Sequence, residues 1–111
     1  MWIEGYYGDG DALVNWLVEK ISPGRFDRLG IVRSMRSLTR VGARALAGWP
    51  GLAHLKELGL SDNWIGDAGA KELANSPHLD GLEALHVAHN DITKVGKEAL
   101  KKRFGRRVRV S

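Results

Sequence analysis

The sequence predicts an α/β fold: a short solenoid of stacked strand–turn–helix units forming one domain. Three observations carry this expectation. The run Leu55-Lys-Glu-Leu58-Gly-Leu60-Ser-Asp-Asn63-Trp-Ile65 recurs 27 residues later as Leu82-Glu-Ala-Leu85-His-Val87-Ala-His-Asn90-Asp-Ile92. The match extends back to Pro50 and Pro77 and forward through Gly69 and Gly96 to Leu73 and Leu100; an internal repeat of this length marks a stacked array. Each copy opens with a two-residue apolar alternation and closes with helical spacing, so each is one strand and one helix. The segments on either side depart from the repeat, as end units must when their outer faces meet water.

Composition narrows the classes. A chain of 111 residues suits a single core. No cysteine is present, which removes disulfides, thiolate nucleophiles and zinc–thiolate sites. The opening Met1-Trp-Ile-Glu-Gly-Tyr-Tyr has no basic region ahead of an apolar run, so it is not read as a signal peptide. No stretch approaches the roughly 20 apolar residues of a membrane span, and a cytoplasmic location is expected. The net charge of +4 is unevenly spread. Lys94 to Arg109 holds eight basic residues against Glu98; Arg25, Arg28, Arg33, Arg36, Arg40 and Arg44 stand against Asp27; the remainder is acidic. Such asymmetry points toward an anionic partner.

Taken in order, residues 1–25 form an N-terminal cap. Met1 to Gly10 has no clear period. From Asp11 a helix is expected, with Leu13, Leu17 and Ile21 on one face, Trp16 beside them, and Val14 and Val18 flanking. Asp9 or Asp11 caps its start, and Ser22-Pro23-Gly24 ends it. Residues 26–103 hold about three repeats. The first is degraded: its helical half (Leu38, Gly42, Leu46, Pro50) keeps the 27-residue offset, but its strand half does not. Placing Phe26, Leu29 and Ile31 as the apolar ladder requires a short insertion before Leu38, and a short, atypical first strand follows.

The two intact repeats predict parallel strands at Glu57–Ser61 and Ala84–Ala88, with Leu58, Leu60, Leu85 and Val87 pointing inward. Asn63 and Asn90 satisfy backbone groups where the chain leaves each strand. Helices follow at about Asp67–Asn75 and Lys94–Arg103, with Thr39, Asp67 and Thr93 as N-cap candidates. Gly42, Gly69 and Gly96 fall inside first helical turns, where glycine costs about 1 kcal/mol against alanine; close approach of successive repeats would explain them. Residues 104–111 form a C-terminal cap: Gly105 stops the helix, and Arg107 to Val110 alternates as an edge strand whose arginines discourage further pairing.

The run Leu58-Gly-Leu60-Ser-Asp-Asn63-Trp-Ile65-Gly-Asp-Ala-Gly69-Ala-Lys-Glu-Leu73-Ala-Asn-Ser-Pro77-His-Leu79 closely resembles ribonuclease-inhibitor-like leucine-rich repeats of the bacterial type. The resemblance covers Leu38 to the C-terminus. It implies a short leucine-rich-repeat solenoid with strands on the concave side and helices on the convex side. It also implies protein binding rather than catalysis.

For chemistry, outward strand positions come first: Glu57, Gly59 and Ser61 in one repeat, Ala84, His86 and Ala88 in the next. A repeat step moves one strand sideways, about 4.8 Å, which sets His89 beside Asp62 and Trp64 beside Asp91. Glu57, Asp62, Trp64, His86, His89 and Asp91 are therefore protein-binding candidates, with Trp64 as anchor. The plainer alternative is an exposed turn steadied by an Asp–His contact. No metal site is expected, because His86 and His89 lie three apart and project to opposite faces of a strand. Asp9-Gly-Asp11 lacks the later acid of a calcium loop. Neither a nucleophile elbow nor a phosphate-binding glycine loop is present, so no cofactor is expected and the chain is read as a non-enzyme. Its expected role is a small adaptor or a subunit of a larger complex.

The alternative is an accessory subunit that holds DNA or RNA backbone. Its candidates are Arg33, Arg36, Arg40, Lys101, Lys102, Arg103, Arg106, Arg107 and Arg109. A phosphate track needs them on one surface; placement at opposite ends argues for capping.

Overall fold

A computed structural model describes residues 1–22 and 26–110. The chain runs β1 (Trp2–Glu4), α1 (Gly10–Lys20), β2 (Arg28–Val32), α2 (Arg40–Ala47), β3 (Glu57–Gly59), α3 (Gly66–Ala74), β4 (Ala84–His86), α4 (Lys94–Phe104) and β5 (Val108–Arg109). The strands form a five-stranded parallel sheet in the order β1-β2-β3-β4-β5. Each helix packs on the next one in sequence, so helices make one layer and the sheet the other. This is the expected α/β solenoid.

The register follows from the repeat. Leu29 pairs with Leu58, and Leu58 with Leu85; all three are fully buried. Burial of alternate strand residues fixes the register, because a one-residue slip would turn every leucine to water. The first repeat keeps a 29-residue offset through its strand, and the helical half returns to 27. The Phe26–Leu29–Ile31 ladder with a two-residue insertion before Leu38 is therefore the arrangement adopted.

Asparagine closes the bends. Asn63 Nδ2 donates to the Ile31 and Leu60 carbonyls at 2.6 and 2.8 Å, and its Oδ1 accepts from Ser34 N at 3.0 Å. Asn90 Nδ2 likewise donates to Leu60 and Val87 carbonyls at 2.7 and 3.0 Å. Ser34 takes the equivalent place in the first repeat, where its Oγ accepts from Leu38 N at 3.0 Å. Ser34, Asn63 and Asn90 are buried, and a buried polar group is tolerable only when bonded in this way.

Several expectations are corrected. The N-terminal cap is not a helix alone: Met1 to Gly10 supplies β1, paired Trp2 to Gly30, Ile3 to Ile31 and Glu4 to Val32. Paired with β1 on one side and β3 on the other, β2 is not short or atypical: it is the longest strand, with 5 residues. The strands of the intact repeats are shorter than predicted, Glu57–Gly59 and Ala84–His86, and end one residue before the second inward residue, Leu60 or Val87. The buried stripe of α1 is Val14 and Leu17, with Leu13, Val18 and Ile21 beside it, while Trp16 is half exposed. Asp9 caps that helix through a bond from Ala12 N. The expected stop at Pro23-Gly24, and Arg25 of the basic stretch, lie outside the described residues.

The helix-start glycines and acids also have a different cause. Asp67 does not cap α3. Its Oδ1 accepts from Thr93 N at 2.7 Å and Gly96 N at 3.2 Å, and its Oδ2 accepts from the Thr93 hydroxyl. Asp11 does the same one junction earlier, accepting from Thr39 N and Gly42 N at 2.8 Å each and from Thr39 Oγ1 at 2.6 Å. A Cβ at Gly42 or Gly96 would overlap the carboxylate oxygen. Glycine at these two places admits the preceding repeat's acid, whereas a Cβ at Gly69 would press on Ala43 of the preceding helix, so there the expected close approach of successive repeats accounts for the glycine. Arg40 and Gly66 stand in the corresponding places between α2 and α3, so that junction lacks this clamp.

Candidate functional site

Where β2, β3 and β4 give way to their helices, the turns gather at one edge of the sheet. Arg33, Asp62 and His89 each take a left-handed backbone, with φ of 59, 60 and 58°. They occupy the same place in successive repeats, each just ahead of the buried Ser34, Asn63 or Asn90. The turn therefore dictates the backbone, and the side chains project outward. Met35 and Arg36, in the two-residue insertion, and Asp91 are left-handed as well. Side chains other than glycine adopt such angles only at a cost of roughly 1–3 kcal/mol when the surroundings enforce them.

These turns enclose an open cavity of about 390 Å³ lined by Arg33, Met35, Arg36, Asp62, Asn63, Trp64, His89 and Asp91. Trp64 is 43% exposed, held by a parallel bridge to Thr39, and the Arg36 guanidinium sits 4.7 Å from its ring centre. Arg33 Nε lies 3.8 Å from Asp62 Oδ2. The expected grouping of Asp62, Trp64, His89 and Asp91 is thus present, joined by two arginines that the sequence assigned to another surface.

Glu57 and His86 lie apart from them, on the open face of the sheet. Glu57 Oε1 accepts from Arg28 Nε at 2.8 Å, and its Oε2 lies 3.0 Å from His86 Nε2. The bond from Arg28 holds the Glu57 carboxyl below its ordinary value, with His86 adding to the effect against the opposing pull of burial. The expected Asp–His contact is therefore replaced by a Glu57–His86 contact on the sheet face, and Asp62 pairs with Arg33. Among the described residues no three His, Cys, Asp or Glu side chains group as metal ligands would.

The basic candidates separate. Arg33, Arg36 and Arg40 belong to the strand-to-helix edge of the second strand–helix unit. Lys101, Lys102 and Arg103 sit in the last turn of α4, at the opposite edge and two units along. Arg103 is engaged internally, donating to Ala74 O and to Asp80 Oδ1 at 2.8 Å each. Arg107 donates to Phe104 O at 3.0 Å and Leu82 O at 2.9 Å, and both guanidinium groups lie over the Phe104 ring. These two arginines cap carbonyls at the end of the stack. Lys101, Lys102, Arg106 and Arg109 are exposed. The geometry that a phosphate track requires is absent among the described residues.

One feature of the open face had no signal in the sequence beyond two glycines at outward strand positions. Trp2, Gly30, Gly59, His86 and Arg109 form one cross-strand row. The Trp2 indole lies across Gly30 and Gly59, where a Cβ at either would overlap the ring.

Parallel strands, asparagine-closed turns and a helix layer define a repeat solenoid. A family model described as Leucine Rich repeat matches residues 51–74 and 82–101, so the chain carries leucine-rich repeats at these two positions. Such repeats generally mediate protein–protein interaction. No curated protein matches the chain. No helix among the described residues is long and apolar enough to cross a membrane.

Proposed function

We propose that this chain is a non-catalytic protein-binding module, an adaptor or a subunit of a larger complex, and that it binds through the strand-to-helix edge. One observation carries the reading: Trp64, Arg33, Arg36, Asp62, His89 and Asp91 border a single open cavity. An exposed tryptophan stacked with arginine beside the Arg33–Asp62 pair is the composition of an interface centre, where aromatic and arginine anchors supply most of the binding energy. The 27-residue step and the Asn63 and Asn90 turns are compatible with the ribonuclease-inhibitor-like variety of repeat.

The test is affinity capture from the protein's own host with wild type and Trp64→Ala, with and without nuclease, at low and high salt. Proteins retained by wild type under every condition and lost with Trp64→Ala support the reading. Nucleic acid that elutes with salt and ignores the substitution contradicts it.

A further inference from the structure

The ring of Trp2 is seated on a surface that only glycine permits. Gly30 and Gly59 face outward from neighbouring strands, paired directly with each other. Together they leave a flat floor on which the indole lies, and any larger residue at either place would occupy the ring's volume. The Arg28 guanidinium is 5.3 Å from the ring centre, within the range of a cation–π contact, and Glu57 holds that arginine from behind. A floor, a cation and an orienting acid make a pocket for a planar aromatic group.

The segment that fills it is a short edge strand, anchored at its start by a bond from the Met1 amino group to Arg28 O at 2.8 Å. β1 has 3 residues and pairs only with β2, being the edge of the sheet. Bonds from Gly30 N to Met1 O and from Gly5 N to Val32 O, each 2.9 Å, flank the pairing. Gly5, at φ +70°, turns the chain away immediately afterwards. Trp2 itself remains 43% exposed. When β1 leaves, the floor is uncovered and the edge of β2 is free, and an extended segment can replace both at once by strand addition.

We propose that the Gly30–Gly59 floor is a recognition site for an aromatic residue on an extended segment of a protein partner, and that Trp2 is its resident occupant from within the chain. The partner segment adds as a parallel strand on β2 and places a tryptophan-like ring under Arg28. This site is on the open sheet face, away from Trp64, so a result with Trp64→Ala leaves it standing or falling separately.

The experiment uses full-length Trp2→Ala, isotopically labelled, and a capped peptide copying residues 1–8 as the probe. Saturable shifts of the Gly30 and Gly59 amides are expected, with at least tenfold weaker binding when the peptide carries alanine at its second position. No shift, or equal binding by both peptides, overturns the proposal. Should Trp2→Ala fail to fold, wild type carrying fluorotryptophan answers the same question. Excess peptide must then produce a second Trp2 fluorine signal, that of a released ring, and a single unchanged signal overturns the proposal. A concentration-dependent dimer of wild type exchanging β1 overturns the partner assignment in favour of a second copy of the chain.

Discussion

Asp67, in the first turn of α3, caps the next helix rather than its own, and Thr93 is the residue it grips. The carboxylate takes the Thr93 amide and hydroxyl together with the Gly96 amide. Asp11 holds Thr39 and Gly42 in the same way. Two junctions of the solenoid are therefore tied by an acid reaching forward one repeat to the free N–H groups of a helix start.

This relationship reverses an ordinary expectation for helical glycine. Replacing glycine by alanine inside a helix normally stabilises it by about 1 kcal/mol. Gly96→Ala should instead destabilise the chain by about 1–2 kcal/mol, because the new methyl displaces the Asp67 carboxylate and presses on Ile92. Urea unfolding with an unchanged m-value reads the effect. Gly42→Ala should behave alike.

Acid should loosen the same junction. The Thr93 hydroxyl holds the Asp67 carboxyl below its ordinary value of 3.8, with the Thr93 and Gly96 amides adding to it against a smaller opposing effect of burial. Glu57 is held below 4.5 by Arg28. A group whose folded value is depressed stabilises the fold above its unfolded value and loses that contribution as pH falls through the folded one. Stability should therefore fall as pH drops below about 4. Asp67→Asn should lower stability at neutral pH and flatten that acid limb, as followed by denaturant midpoints from neutral pH downward.

Asn63 should be among the least replaceable polar residues. Alanine there would leave the Ile31 carbonyl and the Ser34 amide without their asparagine partner in a buried bend, while the Leu60 carbonyl keeps the bond from Asn90. Unsatisfied buried groups of this kind cost about 3 kcal/mol together. Thermal and urea denaturation of Asn63→Ala measure it, and a loss below about 0.5 kcal/mol would show that water replaces the amide.

Trp64→Ala should leave the fold nearly intact. The ring is only half buried and its cation is an exposed arginine, so a stability change within about 1 kcal/mol is expected. Loss of binding without loss of stability would separate recognition from folding.

What was legible in the sequence was whatever the repeat wrote twice. Leu58 and Leu85, Asn63 and Asn90, and the helices after them follow from position alone, because each unit buries the same residues against its neighbour. Trp64, Asp62, His89 and Asp91 could be grouped for that reason. Arg33 joins them at the Asp62 place, on the 29-residue offset of the first strand, and Arg36 joins them through an insertion over Trp64 that no offset reveals. β1 was missed because three residues show no period, and its pairing depends on the edge of β2, 28 residues away. The duty of Asp67 was misread because its partners lie 26 and 29 residues on. Arg103 and Arg107 looked like free charge, but the carbonyls they cap are exposed only by the end of the stack.

Binding through the strand-to-helix edge requires a partner to lie against the turns after β2, β3 and β4. Photo-crosslinking from its own host tests it directly, with a photoreactive residue at position 35 or 91 in one set of variants and at position 101 or 106 in another. Protein adducts should form from the first set and not the second. Adducts confined to positions 101 and 106, or to nucleic acid, would contradict the account.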